Sequence, residues 1–134
     1  MELLPPLFVQ VAITFLLVIM TGITRYVAAK QGKVKVSDIA LREPGWPKSV
    51  TKISNALHNQ LETPILFYLL VVLLLVTKQG DQTYLMLAWS YVAVRLVHLA
   101  IHLTINHVLY RFLIFVTSML ILMVMWGRFG LAIM

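Results

Sequence analysis

Long apolar stretches alternate with short polar joins along the whole chain. Four of these stretches, Leu7 to Ala29, Leu61 to Thr77, Tyr84 to Ile105 and Phe112 to Ile133, approach or exceed the ~20 residues that a helix needs to cross a hydrocarbon core. None of them alternates apolar and polar residues with a period of two, and the joins are short, which excludes a transmembrane β-barrel. The pattern predicts an all-α integral membrane protein, a bundle of four transmembrane helices forming one domain over residues 1–134. Glu2 stands where a basic leader segment should be, and the first apolar run exceeds that of a typical signal sequence, so the first span is expected to be retained. Pro5 and Pro6 are expected to precede it.

One join changes character midway. In Ser54 to Tyr68, SNALHNQLETPILFY, the residues Asn55, His58, Asn59 and Glu62 fall at i, i+3, i+4 and i+7 and share one side of a helix. Ile53, Ala56, Leu57 and Leu61 lie largely round the other side. Glu62 therefore sits at the mouth of an apolar run, where a carboxylate costs roughly 2.5–3.5 kcal/mol at mid-membrane depth unless it is compensated. Pro64 removes the amide that would bond the Gln60 carbonyl and loosens the turn that carries Glu62. A plainer reading makes Thr63 and Pro64 the cap and first residue of the span, with Asn55 to Glu62 a solvated lead-in.

The third span carries a second polar stripe. Arg95, His98, His102 and Asn106 follow at i, i+3, i+7 and i+11 on a helix otherwise made of Leu, Val, Ile and Ala. Lipid cannot solvate such a stripe, so it must face another helix, a cavity or a ligand. Glu62 is the one acidic residue within a span, which makes a buried Arg95–Glu62 ion pair the packing alternative to a binding site. Arg111 opens the fourth span beside Tyr110, and Arg25 lies within a turn or two of the end of the first. Each reads either as an interfacial anchor or as a cation facing an anionic ligand.

Composition and charge narrow the picture. Hydrophobic residues make up 60% of the chain, against about 45–50% in soluble domains. The net charge of +6 follows topology: Lys30, Lys33, Lys35, Arg42, Lys48 and Lys52 crowd the first connection against Asp38 and Glu43. That connection is expected to face the cytoplasm, with both termini and the Lys78 to Asp81 turn outside. The basic patch lacks interleaved aromatics, so nucleic acid is not an expected partner; the bilayer is. There is no cysteine, hence no disulfide, thiol nucleophile or thiolate metal site in the protein itself.

Asn59-Gln60-Leu61-Glu62 followed by a proline, Arg95 and His98 in RLVH, and His102 to Asn106 running on to Arg111-Phe112 together resemble the MAPEG family, the membrane-associated proteins in eicosanoid and glutathione metabolism. The likeness covers nearly the whole chain and is closest to a prokaryotic branch, which implies a bacterial inner membrane. It further implies a homotrimer of four-helix protomers, with glutathione held near the cytoplasmic face between adjacent protomers, and conjugation or reduction of lipophilic electrophiles and hydroperoxides. By the same resemblance Asn59 and Glu62 match residues that bind the tripeptide, Arg111 matches the arginine that stabilises its thiolate, and Arg95 matches an intramembrane arginine. His58, His98, His102 and Arg25 are further candidates for the glutathione site. The chain departs from the family pattern at Asn55 and His58, where arginines are common, at His102, near a usual tyrosine, and at His107, near a further arginine. Its proline follows Glu62 by two residues, earlier than in many members.

A fixed guanidinium near a thiol favours the reactive thiolate, and apolar electrophiles would arrive through the bilayer, so positioning and electrostatics would suffice without a protein nucleophile. Three other classes stay open on the residues alone. One is a non-catalytic lipid-binding or scaffold protein. Another is a metal site from His98 and His102 with His58 and Glu62. The last is a small proton-coupled transporter with Glu62 as its protonatable group.

Overall fold

The structure, a computed structural model, describes residues 2–40 and 45–134. Arg42, Glu43 and Pro44, which entered the charge and linker reading of the first connection, lie outside the described residues. Five α-helices follow in order: α1 Leu4–Lys30, α2 Lys48–Glu62, α3 Pro64–Val76, α4 Gln82–Leu103 and α5 Val108–Ile133, with a short 3-10 turn at Val36–Ile39. Helices α2 and α3 run on through Thr63 as one element of 29 residues, so among the described residues four helices are long and apolar enough to cross a membrane. The fold is the expected all-α, four-span bundle.

The observed ends differ from the expected ones for local reasons. Pro5 and Pro6 lie inside the first turn of α1, where a missing N–H is no loss because those amides have no helical acceptor. Helix α1 stops at Gly32, whose φ of +67° lets the Lys33 amide reach back to the Ala28 carbonyl at 3.0 Å and the Gly32 amide to Ala29 at 3.0 Å. Helix α4 begins two residues before Tyr84 because the Asp81 carboxylate accepts the Tyr84 amide at 3.0 Å. It ends at Leu103, short of Ile105, and Asn106 at φ +50° turns the chain into α5. At Pro64 the backbone stays helical, with Thr63 at φ −74°, ψ −33°, and the break is taken up by a tighter bond from the Leu66 amide to the Thr63 carbonyl at 3.1 Å.

Helix α1 packs along α2 and α4 along α5, while α1 and α2 both meet α4 and α3 meets α5. One end of the bundle carries the termini and the α3–α4 turn. The other carries the basic connection and the α4–α5 turn. Toward the termini the core is apolar: Leu3, Phe67, Leu70, Val71, Leu74, Tyr84, Ala88, Tyr91, Val92, Leu122, Met125 and Phe129 form one buried cluster. Phe67 and Tyr91 stack within it, ring centroids 4.6 Å apart. From Arg95 toward the basic end a smaller apolar cluster of Ile13, Leu17 and Ala56 shares the interior with the buried polar groups Gln60, Arg95, His98 and His102, and the site lies there.

Candidate functional site

Helix α2 is the amphipathic element of the bundle, and its two sides go to different places. Val50, Ala56 and Gln60 are buried, whereas Asn55, His58 and Glu62 are exposed. The exposed stripe continues without a gap along α3 through Ile65, Leu69, Val72 and Val76. These positions step by three and four residues in turn, the spacing of a seam that packs against another helix. Polar at the basic end and apolar beyond, the stripe is exposed along its whole length among the described residues.

Arg95 reaches α2 on its inner side. Its side chain is 1% exposed, and one terminal nitrogen, Nη2, donates to the Asn59 Oδ1 at 2.8 Å, the Asn59 carbonyl at 3.1 Å and the Gln60 Oε1 at 2.7 Å. Gln10, a lone amide in the first span and fully buried, donates from Nε2 to the same Gln60 oxygen at 3.1 Å. Three helices are thus pinned through three amides and a guanidinium. An Arg95–Glu62 ion pair is not formed. A helix that turns 100° per residue and offers Asn59 and Gln60 to α4 must carry Glu62 round to the outer face, where its carboxylate lies 3.8 Å from the His58 Nε2.

The remaining candidates divide between interior and rim. His98 and His102 are buried on α4, their rings edge-on at 6.0 Å, with Phe115 of α5 6.1 Å from His98. They lie inside the bundle while His58 and Glu62 lie outside it, so the four do not converge. Among the described residues no group of three or more His, Cys, Asp or Glu is placed to hold a metal ion. Arg111 is half-buried at the start of α5 and donates from Nη1 to the Asn106 Oδ1 at 2.8 Å. Asn106 also lines an open hollow of about 680 Å³ with Ile105, His107, Val108, Leu109 and Phe112. Arg25 donates to the Ser54 Oγ at 2.7 Å and stands 5.2 Å from the Trp46 ring centre, which ties the end of α1 to α2 and to the connection before it. Lys52 donates to the Thr104 carbonyl at 2.9 Å, placing a cation where the end of α4 leaves carbonyls unpaired.

Arg111, Asn59 and Glu62 thus occupy the basic half of the bundle, but among the described residues no hydrogen bond within the protomer joins Arg111 to the other two. A model of the MAPEG family matches residues 3–131. The chain belongs to the MAPEG family. Neither the curated proteins nor the solved structures contain a match to it. In this MAPEG protein two contributors escaped sequence reasoning, Gln10 and Gln60. The signal was present, since an amide in an otherwise bland apolar span must find a partner, and α1 and α2 each offer one. Asn106 was read as the last member of the α4 stripe and as part of the motif that runs on to Arg111; its positive φ and its bond to Arg111 could not be read from spacing.

Proposed function

We propose that this MAPEG protein binds glutathione at the basic end, on the outer face of α2 between protomers of a homotrimer, and activates its thiol toward lipophilic electrophiles or hydroperoxides carried in the bilayer. Members of the family generally use glutathione. The observation that carries the reading is the placement of Glu62: a carboxylate within a span, turned away from the buried Arg95 and exposed on a seam where, among the described residues, its nearest charged or titratable neighbour is His58 of the same helix at 3.8 Å. Such a group calls for a cationic or hydrogen-bonding partner from outside. A peptide ammonium suits it, and a neighbouring copy packed along Ile65, Leu69, Val72 and Val76 would enclose the site.

The residues present fit a zwitterionic tripeptide. Glu62 is an acceptor for an ammonium, the Asn59 amide nitrogen, which makes no hydrogen bond among the described residues, is a donor, and His58 and Asn55 share that side of α2. Glutathione, when bound, supplies the thiol that this cysteine-free chain lacks. Arg111 would favour the thiolate by its fixed charge, with helix-end dipoles adding to it. Substrate would partition from lipid, and the excess of Lys and Arg in the first connection supports a cytoplasmic basic end with the termini outside.

The test is thiolate absorbance of protein-bound glutathione across pH, run beside conjugation of a generic apolar electrophile. Arg111→Ala should lower thiolate formation and turnover at least tenfold with binding little changed, whereas Glu62→Gln should chiefly weaken binding. Unchanged turnover per folded trimer in Arg111→Ala would reduce Arg111 to an anchor. A parent protein that binds no glutathione at millimolar concentration would instead favour a non-catalytic lipid-binding or scaffold role.

A further inference from the structure

At the termini end of the bundle, Lys78 stands in a backbone conformation that favours glycine. The Gln79 amide donates back to the Leu74 carbonyl at 3.1 Å, closing the end of α3 with Lys78 in the left-handed region at φ +57°. Helix α1 makes the comparable turn with Gly32. A Cβ is disfavoured there, so the lysine sits against the preference of its own backbone, which a requirement for its side chain would account for. That side chain is exposed and, among the described residues, makes no hydrogen bond or ion pair, whereas Arg128, the other basic side chain at this end, is engaged with Asp81. Lys78 lines an open hollow of about 540 Å³ whose apolar side is Leu3, Leu75 and Leu85 and whose polar side includes Glu2 and Gln82. Asp81 lines it too, but one of its oxygens accepts the Tyr84 amide and the other meets Arg128. Glu2 is exposed and, among the described residues, has no partner. One hollow thus carries a cation and a carboxylate that do not pair with each other. With α3 ending at Val76 and α4 beginning at Gln82, it lies where the spans meet the lipid headgroups.

We propose that this hollow seats the headgroup of an ethanolamine glycerophospholipid, its phosphate on Lys78 and its ammonium on Glu2, with the first carbons of its acyl chains against Leu75 and Leu85. The charges select the headgroup. A lysine ammonium is a compact point charge suited to a phosphate, and a primary ammonium on the ligand can donate hydrogen bonds to the Glu2 carboxylate. A choline headgroup carries the same charges, but its methylated nitrogen has no N–H to donate. A glycerol headgroup brings no cation and sets its phosphate against Glu2 as well as Lys78. The site lies at the opposite end of the bundle from Glu62 and Arg111 and does not depend on the glutathione reading.

The test titrates the delipidated full-length protein in detergent with ethanolamine, choline and glycerol phospholipids of identical acyl chains, and counts the first lipid adduct by native mass spectrometry. The parent should bind the ethanolamine lipid at least fivefold more tightly than either of the others. Lys78→Gly is the decisive substitution, because glycine suits φ +57° and removes only the cation. Without lipid it should melt above the parent, and it should nevertheless lose at least fivefold in affinity for the ethanolamine lipid. Lys78→Arg, which keeps the charge, should bind that lipid nearly as the parent does. Glu2→Gln should abolish the preference for ethanolamine over choline. Equal binding of the three lipids by the parent overturns the proposal, as does undiminished binding of the ethanolamine lipid by Lys78→Gly. If Lys78→Gly melts below the parent, the lysine serves the turn itself and the proposal falls. A preference for ethanolamine that survives in Glu2→Gln removes the ammonium from Glu2, and the proposed seat falls with it.

Discussion

The two halves of the bundle solve the problem of a helix interior in opposite ways. From Tyr91 toward the termini, shape does the holding: aromatic and aliphatic side chains interdigitate, and the polar atoms enclosed there are neutral hydroxyls such as those of Tyr84 and Tyr91. From Arg95 toward the basic end, a charged group is enclosed without a carboxylate, and the Gln10 Oε1, Gln60 Nε2, Arg95 Nε and Nη1 and His102 Nδ1 atoms have no partner among the described residues. A partly satisfied buried network adds less stability than an apolar core of the same size. It does specify which way α1, α2 and α4 face one another. The contrast teaches that the apolar half anchors the fold, which allows the other half to keep polar groups aimed and incompletely paired.

The largest effect that would break this division is expected at Phe67, fully buried and stacked on Tyr91. Phe67→Ala should cost ~3 kcal/mol, the low end of the range for soluble cores, because lipid offers an unfolded helix much of the same apolar contact but cannot fill the cavity left behind. Measured as a shift in the midpoint of detergent-induced unfolding, the loss should leave glutathione affinity per folded protein unchanged. A matching loss of affinity would mean that the two halves are coupled through Tyr91 and Arg95, one turn apart on α4.

Much of this division was legible in the residues and some was not. The four spans and the polar stripes follow from hydropathy and from 3.6-residue periodicity, since lipid allows few alternatives for an amide, an imidazole or a guanidinium. Which polar group meets which was beyond periodicity. Glu62 and Asn59 are three residues apart and share a side in any helical-wheel reading. A rotation of α2 of less than half a turn decides which of them Arg95 meets, and that rotation is set by the burial of Ala56 and Gln60 against α1 and α4. Pairing by charge favoured Glu62; packing favoured Asn59. The positive φ of Asn106 and the helix ends at Leu4, Leu103 and Val108 likewise depend on caps and turns that leave a weaker mark than an apolar run.

A smaller effect should sharpen the contrast at the termini end. Asp81 caps α4 through one oxygen and pairs with Arg128 through the other, while Arg128 lies 4.7 Å from the centre of the Tyr84 ring. Both charged side chains are partly exposed, so the ion pair is worth little and the cap most of the total. Asp81→Ala should cost about 1–2 kcal/mol of unfolding free energy, and Asp81→Asn, which keeps a capping oxygen, well under half of that. The difference between Asp and Asn should shrink in high salt. Equal losses for Ala and Asn would assign the stability to the charge and make this end electrostatic like the other.

The smallest effect on stability, and the most telling for function, is expected at Asn106. Its residue must combine two properties: it has to tolerate φ +50°, and it has to offer an oxygen to Arg111 at 2.8 Å. Glycine would meet the first requirement better than asparagine and fail the second. Asn106→Gly should therefore change unfolding free energy by only a few tenths of a kcal/mol, whereas Asn106→Ala should cost roughly 1–2 kcal/mol for a Cβ in the left-handed region. If the basic half exists to aim side chains, the Gly variant should nevertheless lose turnover of an apolar electrophile severalfold, because Arg111 is free to swing toward lipid phosphate. Asn106→Asp should restore it in part by keeping an acceptor on the guanidinium. Turnover that tracks stability across the three variants, with Gly like the parent and Ala the worst, would show that Arg111 needs no aiming and that the basic end differs from the other only in what it buries.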